Sequence, residues 1–362
     1  LATSTTYTVE LTTGIQSVYG HALAEDSTWS FTTGDGQPPL PDDMYFFFGD
    51  LHSHSGYSDG QGVPADVFAT ARANGADFYA LTDHAFQLDS AEWQDIGAQA
   101  DAASVPGVFA GLRGFEYTHS TFGHLNVFGT SDYVHRDDPN YDTAEEFYAW
   151  LAAQPDAIGQ FNHPYPPINF DDFAYHADAA QRMALAEPHR SYSQTLAIGW
   201  RVAMAPNSDT HRANWGEYPG TGVLASELTQ EAILEALRAR RVFNMWDQGP
   251  SMGLAMRVND HWMGEVISAT TTLDVEVMLY APNSEGRVVY LTLYDNGLPV
   301  DSVVPPPGEL LYTWETTIPG APGHFYYVEA GIDVGRWIRR GTTAPVWTSD
   351  RMNIYLPVVI RG

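Results

Sequence analysis

Three regimes of hydrophobic patterning divide the chain. Over residues 6–34 apolar and polar positions alternate: Tyr7, Val9 and Leu11 share one side, and Trp29-Ser30-Phe31 closes the segment. A period of two predicts short strands, because successive side chains of an extended chain point to opposite faces. Residues 34–43, with Pro38, Pro39 and Pro41, read as a linker. From Tyr45 to about Asn244, short apolar runs alternate with amphipathic stretches. Runs at 45–48, 77–81, 108–112, 125–128, 158–161 and 197–205 predict strands, and 64–74, 144–153 and 229–240 predict helices. Such strand–helix units predict an α/β fold with parallel pairing, closed into a barrel. After Pro250 the helical pattern stops. Strands predicted at 266–278, 288–294, 310–317 and 325–331 imply a small all-β sandwich. The apolar tail 354–360 reads either as a last strand or as a stub toward an anchor. The expected plan is strands of a β module at 1–34, a linker at 35–44, the barrel at 45–248, the sandwich at 249–354 and a tail at 355–362.

Composition narrows the function. With 44% hydrophobic and 13% aromatic residues, the 362-residue chain has ample material for a core. No apolar run reaches the length of a transmembrane helix. The formal charge is −28, and all 17 basic residues are Arg. A chain this acidic repels nucleic-acid backbones, so duplex binding is disfavoured; the charge suits solubility outside a cell or in salt. The absence of cysteine excludes disulfides, zinc ribbons and thiol nucleophiles. Any metal would be held by His, Asp and Glu, a donor set that suits Zn, Mn or Fe. A start at Leu1 without a signal peptide reads as a mature or trimmed form, from which any export signal would have been lost.

Of 13 histidines, six stand at or just after strand-like runs. His52 and His54 follow Phe46-Phe47-Phe48-Gly49-Asp50-Leu51, two residues apart, so an extended backbone would aim both imidazoles the same way. Asp59 follows across a turn. His84 ends one run, Glu116 another, His124 opens the next, His163 ends a fourth before Pro164, and Asp209 and His211 end the last. In a βα barrel the C-terminal strand ends converge on one face, so these residues would meet at a single mouth. The spacing from Glu116 leaves His119 as a rival to His124. His21, His261 and His324 read as surface residues of the β-rich flanks, His135 and His176 as loop residues, and His189 lies near a strand end that could face substrate.

The stretches "GDLHSHSGYSDG", "ALTDH", "GFEYT", "HLNVFG", "FNHP" and "NSDTH", in that order, resemble the successive motifs of the PHP (polymerase and histidinol phosphatase) superfamily over roughly residues 45–244. The opening motif, the following β region and "LTQEAILEALRARRVF" resemble the secreted carbaryl-hydrolase-type (CehA/McbA-like) branch. "TWSFTTG" resembles the end of a bacterial Ig-like module. The resemblance implies a distorted (β/α)7 TIM-like PHP barrel that binds two to three divalent ions. One ion would be held by His52, His54, Glu116 and Asp209, a second by Glu116, His124 and His163, and a third by Asp59, His84 and His211. Some members carry His where this chain has Asp59.

Three divalent ions set against three carboxylates and a bridging hydroxide leave a local charge of about +2, which favours an anionic substrate. The ions would acidify a bridging water into the nucleophile, with Glu116 and Asp209 at its centre, and would stabilise the leaving oxygen. The leading expectation is therefore a secreted or cell-surface, bacterial-type phosphoesterase acting on a small phosphate ester. Arg212, directly after the last ligand, is a candidate phosphate clamp, and Tyr57, Tyr165, Trp215 and Tyr218 are candidate pocket walls. Two alternatives stand beside it. One is hydrolysis of a carboxylester, carbamate or amide by the same hydroxide; the other is a non-catalytic, metal-stabilised surface-binding module. Under each, the β segments would serve as adaptors to a cell wall or polysaccharide.

Overall fold

A computed structural model describes residues 6–14, 22, 26–32, 37–165, 169–189, 192–217, 220–245, 252–281, 287–333 and 335–352. The chain divides into two units, 1–45 and 46–362. In the first, β1 (Thr6–Leu11) and β2 (Ser27–Thr32) pair antiparallel, with Thr6 opposite Thr32 and Leu11 opposite Ser27. The Thr13 N–H donates to Asp26 Oδ1 at 2.7 Å, and a single 3-10 turn occupies Pro41–Asp43.

The second unit is a mixed α/β structure. Its first part runs β3 (Tyr45–Asp50), α1 (Pro64–Ala73), β4 (Phe78–Leu81), α2 (Ser90–Ala103), β5 (Ala110–His119), β6 (Gly123–Phe128), α3 (Ala144–Ala153) and β7 (Ile158–Asn162). A one-turn segment α4 (Phe170–Phe173), β8 (Met183–Ala186), α5 (Tyr192–Ile198), β9 (Ala203–Met204), β10 (Thr221–Ala225), α6 (Gln230–Arg238) and β11 (Val242–Met245) come next. Pro64 opens α1, where its missing N–H costs nothing. Capping boxes begin α2 (Asp89 with Glu92) and α3 (Thr143 with Glu146), each worth about 1 kcal/mol. Among the described residues no helix is long and apolar enough to cross a membrane.

The strands lie side by side in the order β10-β3-β4-β5-β6-β7-β8-β9. The expectation of parallel pairing is corrected at β6, which runs antiparallel to both β5 and β7. Only residues 120–122 separate β5 from β6, and a parallel crossover needs a dozen or more. The closed barrel is corrected as well. No ladder among the described residues joins β9 back to β3; the seam is crossed by one isolated parallel bridge, Ser53 with Thr210, and by side-chain hydrogen bonds. The run 197–205 is not one long strand: α5 ends at Ile198, Gly199 takes a positive φ of 119°, and β9 spans two residues.

After Arg238 no helix occurs among the described residues. β12 (Gly253–Val258) and the short β13 (His261–Trp262) pair antiparallel. The expected strand at 266–278 breaks at Thr270-Thr271, and its halves, β14 (Val266–Ala269) and β15 (Thr272–Tyr280), join different sheets. β15 lies between β12 and β18 (Leu311–Pro319). β16 (Arg287–Asp295) pairs with β17 (Leu298–Val303) and with β19 (Phe325–Asp333). β20 (Ile338–Thr343) and β21 (Val346–Met352) complete the order, and β21 runs parallel to β14. The β region does not stand apart: β20 pairs antiparallel with β11, so one sheet runs on from the strands around the site. The tail 354–360 lies outside the described residues.

Alternation along β5 shows how the core holds the site. Phe115 and Tyr117 face the helices, where Phe115 meets Trp93 edge-on at 5.8 Å and Tyr117 stacks on Phe147 at 4.1 Å. All four are buried. Each side chain of this kind contributes about 1.5–3 kcal/mol by leaving water. The intervening Glu116 and Thr118 are thereby aimed at the opposite side.

Candidate metal centre

Beyond β3 the chain bends at Leu51 and is then held on both sides around Ser53. Ser53 O accepts from Thr82 N–H, and the His54 N–H donates to Thr210 O, both at 3.0 Å. His52 and His54, both fully buried, therefore point the same way. β5 brings Glu116 and Thr118, and β6 places His124 opposite Thr118 in register. His163 follows β7, and Asp209 and His211 follow β9.

All nine residues expected as ligands come together, with Glu116 at the centre. One Glu116 oxygen, Oε1, lies 3.2 Å from His52 Nε2, 3.2 Å from His124 Nδ1 and 3.5 Å from His163 Nε2. The other, Oε2, lies 2.6 Å from His84 Nδ1 and 3.9 Å from His54 Nε2. Asp209 Oδ1 stands 3.1 Å from His54 Nε2 and 3.2 Å from His52 Nε2. Asp59 Oδ1 is 3.1 Å from His211 Nε2 and 3.5 Å from His84 Nε2. Three sets have donor atoms all within 4.8 Å of one another: His54, Asp59, His84 and His211; His52, His54 and Asp209; His52, Glu116 and His163. His54 thus reaches both the Asp209 set and the Asp59 set, a sharing that the sequence did not suggest.

The electrostatics are those of a pocket built for cations. Burial opposes ionisation of Glu116, yet His52, His124 and His163 hold its carboxyl well below the usual range. Burial also opposes Asp209, which His52 and His54 bring down to about 2. The His52 imidazole is raised well above its ordinary value: burial works against this, but Glu187, Glu116 and Asp209 outweigh it. His54 is lowered by burial and by the charge on His52. Donors held about 2.1 Å from one ion stand roughly 3.0–3.4 Å apart. The spacings among His52, His54 and Asp209, and that between His52 and Glu116, fall in that range, including 3.3 Å between the facing Nε2 atoms of His52 and His54, while His54 Nε2 stands 3.9 Å from Glu116 Oε2. The donor set fits divalent ions of the N/O-seeking kind. His163 (φ 28°) and Asp209 (φ 49°) both occupy the left-handed region. Strain of that kind at non-glycine residues tends to gather at functional sites.

His119 is not part of this cluster. It stands opposite Gly123 on the far side of β5 from Glu116, stacked on Tyr117, with Nε2 toward Asp142 O. Arg212 is exposed and forms no ion pair among the described residues; its backbone is tied, the N–H donating to Thr210 Oγ1 and the carbonyl accepting from the Asn214 N–H at 2.7 Å. Trp215 is buried structure, its indole N–H donating to His54 O at 3.3 Å. Tyr57 donates to Asp95 Oδ2 at 2.7 Å, Tyr165 is exposed, and Tyr218 lies outside the described residues, as does His21. His189 is also structural: Nδ1 meets Glu187 O, Nε2 meets Thr195 Oγ1, and the ring stacks on Phe173.

Several supporting residues were not foreseen. Glu187, 5% exposed, accepts from His52 Nδ1 at 2.8 Å and from the His163 N–H at 2.6 Å. Asp83 accepts from Ser55 and Ser58, and Asn162 Nδ2 donates to Glu116 Oε1 at 2.9 Å. The only signal for Glu187 in the sequence was a carboxylate directly after a short apolar run, 183–186.

Residues 1–33 match the family model of the bacterial Ig-like domain. No curated protein matches the chain. Among solved structures, the chain is similar to a two-domain protein from Bacteroides vulgatus containing a predicted PHP-like metal-dependent phosphoesterase. Identity is 18% over 81% of this chain and 92% of that one, with a TM-score of 0.48. It is similar also to endonuclease Q bound to a 27-mer duplex with an abasic lesion (13% identity, 54% of this chain and 57% of that one, TM-score 0.34). An amidohydrolase from Chromobacterium violaceum with bound sulfate and no metal shows 16% identity over 45% of this chain and 87% of that one, with a TM-score of 0.32. The chemistry assigned to the site rests on its own geometry.

Proposed function

We propose that the chain is a metal-dependent hydrolase of the PHP type, acting on a small phosphate ester. The observation that carries this reading is the convergence of six imidazoles and three carboxylates, from separate strand ends, around a fully buried Glu116. His52, His54, Glu116 and Asp209 would hold one ion, Glu116 with His124 and His163 a second, and Asp59, His84 and His211 a third. Zn or Mn bound there would supply Lewis acidity and an acidified water.

The protein's own groups do the rest. Glu116 and Asp209 stay ionised in a buried setting, so the pocket is ready to take cations without first losing carboxyl protons. Thr118 Oγ1, 2.7 Å from His84 Nδ1, fixes that ring's orientation. For an anionic substrate the structure offers Arg136. Its guanidinium lies 4.0 Å over the Phe86 ring and donates to Thr118 O at 3.0 Å, while Phe86 is 5.6 Å from the His84 ring. A cation next to this rim, together with the positive charge of a loaded site, supports a phosphoester over a neutral ester. The same reading has the protein outside a bacterial cell, with the Ig-like segment as an adaptor, and disfavours duplex DNA on charge.

The test is metal analysis after reconstitution with Zn or Mn, joined to assays on p-nitrophenyl phosphate, bis-p-nitrophenyl phosphate and p-nitrophenyl acetate. Two to three ions per chain with chelator-sensitive phosphate-ester turnover is the expected result. Turnover of the acetate alone would move the reading to carboxylester or carbamate hydrolysis. Less than one ion per chain would remove the catalytic reading.

A further inference from the structure

Glu187 has no part in the ligand set, yet it touches two members of it. Its Oε1 lies 2.8 Å from His52 Nδ1, and its Oε2 accepts the backbone N–H of His163 at 2.6 Å. The carboxylate is held in turn by Asn207, whose Nδ2 reaches Oε1 at 3.3 Å as well as Gln160 Oε1 and Ala205 O, and whose Oδ1 accepts from Leu51 N–H and Thr221 Oγ1. This fixes Glu187 between β7, β8 and the turn beyond β9, and at 5% exposure water cannot replace it.

We infer that Glu187 is a positioning residue that sets how two ion sites form: one oxygen selects the His52 tautomer, and the other holds the backbone turn that aims His163. The inference rests on the metal-centre reading above. An imidazole carries a lone pair on one nitrogen only when its proton is on the other. With Glu187 accepting at Nδ1, a neutral His52 ring keeps its proton there, and its Nε2 lone pair then faces Glu116 Oε1 and Asp209 Oδ1. A carboxylate in this relation to a ligating histidine is a recurrent means of fixing ring orientation and donor strength. The second bond serves a different purpose. His163 sits at φ 28°, between Asn162 of β7 and Pro164, and its N–H would be the group most easily lost from such a turn. Glu187 is its acceptor. His52 and His163 share one of the three donor sets, with Glu116, and His52 also belongs to the set with His54 and Asp209. One side chain therefore touches both sets directly, whereas it makes no contact with Asp59, His84 or His211, which are linked to it through His54, Glu116 and Asp209.

Glu187→Gln keeps the shape but offers one acceptor oxygen where two donors call for two. If the amide N–H2 faces His52, the ring must accept at Nδ1 and carry its proton on Nε2, where an ion would sit. If it faces His163, two N–H groups oppose each other. Either way Zn or Mn affinity, read by competition with a fluorescent chelator, should fall about 10- to 100-fold for two ions, the third changing little. Glu187→Asp should recover part of this loss, and circular dichroism should remain that of the parent. A second measurement needs no variant at Glu187. Two-bond 1H–15N spectra of the histidine-labelled, chelator-stripped protein, recorded at a pH where the His52 ring is neutral, with His52 assigned by His52→Gln, should show the Nδ1–H form. Wild-type affinity in Glu187→Gln, or an Nε2–H His52 in the parent, would overturn the inference. A parent that binds no metal would instead overturn the metal-centre reading itself.

Discussion

Ser55 and Asp83 are joined twice: the Ser55 N–H donates to Asp83 Oδ1 and the Ser55 hydroxyl to Asp83 Oδ2, both at 2.7 Å. Ser58 Oγ adds a third bond, to Oδ1 at 2.5 Å. This carboxylate, buried beside His84, pins the turn that carries Asp59 out from His54. Asp83→Ala should leave three donors without a buried acceptor and lower stability by about 2–4 kcal/mol in urea unfolding. Metal analysis should show the Asp59–His84–His211 ion lost before the others. Unchanged stoichiometry would mean that the turn is held by its backbone alone.

The choice between His119 and His124 is open to a direct check. His124→Ala should release about one ion per chain and cut turnover by at least roughly 10-fold, because Glu116 Oε1 loses a neighbour at 3.2 Å. His119→Ala should keep its metal. Equal losses from both would contradict the facing of β5 and β6.

At the rim, Arg136 and Arg212 should behave differently. Arg136→Ala should raise KM for an anionic ester by about 10-fold, the value of one charge-assisted hydrogen bond, without a matching change for a neutral ester. Arg212→Ala, with an exposed side chain, should change KM less than about threefold. The reverse order in steady-state kinetics would restore Arg212 as the clamp.

Away from the site, Asp77 offers a pH test. Its Oδ2 accepts the Phe48 N–H at 2.8 Å, and burial pushes the carboxyl up to about 6. A carboxyl raised on folding favours the folded state below its unfolded value, and that contribution is lost as pH rises through about 6. Asp77→Asn keeps an acceptor and removes the ionisation. In urea titrations the variant should match the parent near pH 4 and be more stable by about 2 kcal/mol at pH 7.5. A difference that does not vary with pH would show that Asp77 ionises freely in the fold.

Most candidate ligands were legible because they stand at an end of an apolar run, Asp59 following across a turn, and a strand end is where a parallel α/β fold presents side chains. Glu187 was not. Its strand, Met183–Ala186, is an alanine-rich tetrapeptide set in a stretch with a helical look, so no strand was expected for it to follow. His119 and His124 could not be separated by spacing, since their facing depends on the antiparallel register of β5 and β6, a tertiary fact. The open seam was equally hidden. Whether β9 pairs with β3 depends on the path of residues 205–210, where Asn207, Ser208 and Thr210 bond to the neighbouring chain through side chains and single backbone contacts instead of a ladder. The turn Phe170–Phe173, with φ of 53–58° throughout, also departs from anything that propensity favours.

The pairing of β11 with β20 decides where this protein could be divided. Phe243, Asn244 and Met245 have Thr343, Thr342 and Gly341 as their outer neighbours, from almost a hundred residues downstream. A fragment cut at the end of the helical half would carry a naked strand margin rich in apolar side chains, the kind of surface on which chains stack into aggregates. The metal-binding half and the β half are in that respect a single hereditary unit: recombination could add modules before residue 45 far more readily than it could exchange the strands beyond residue 248.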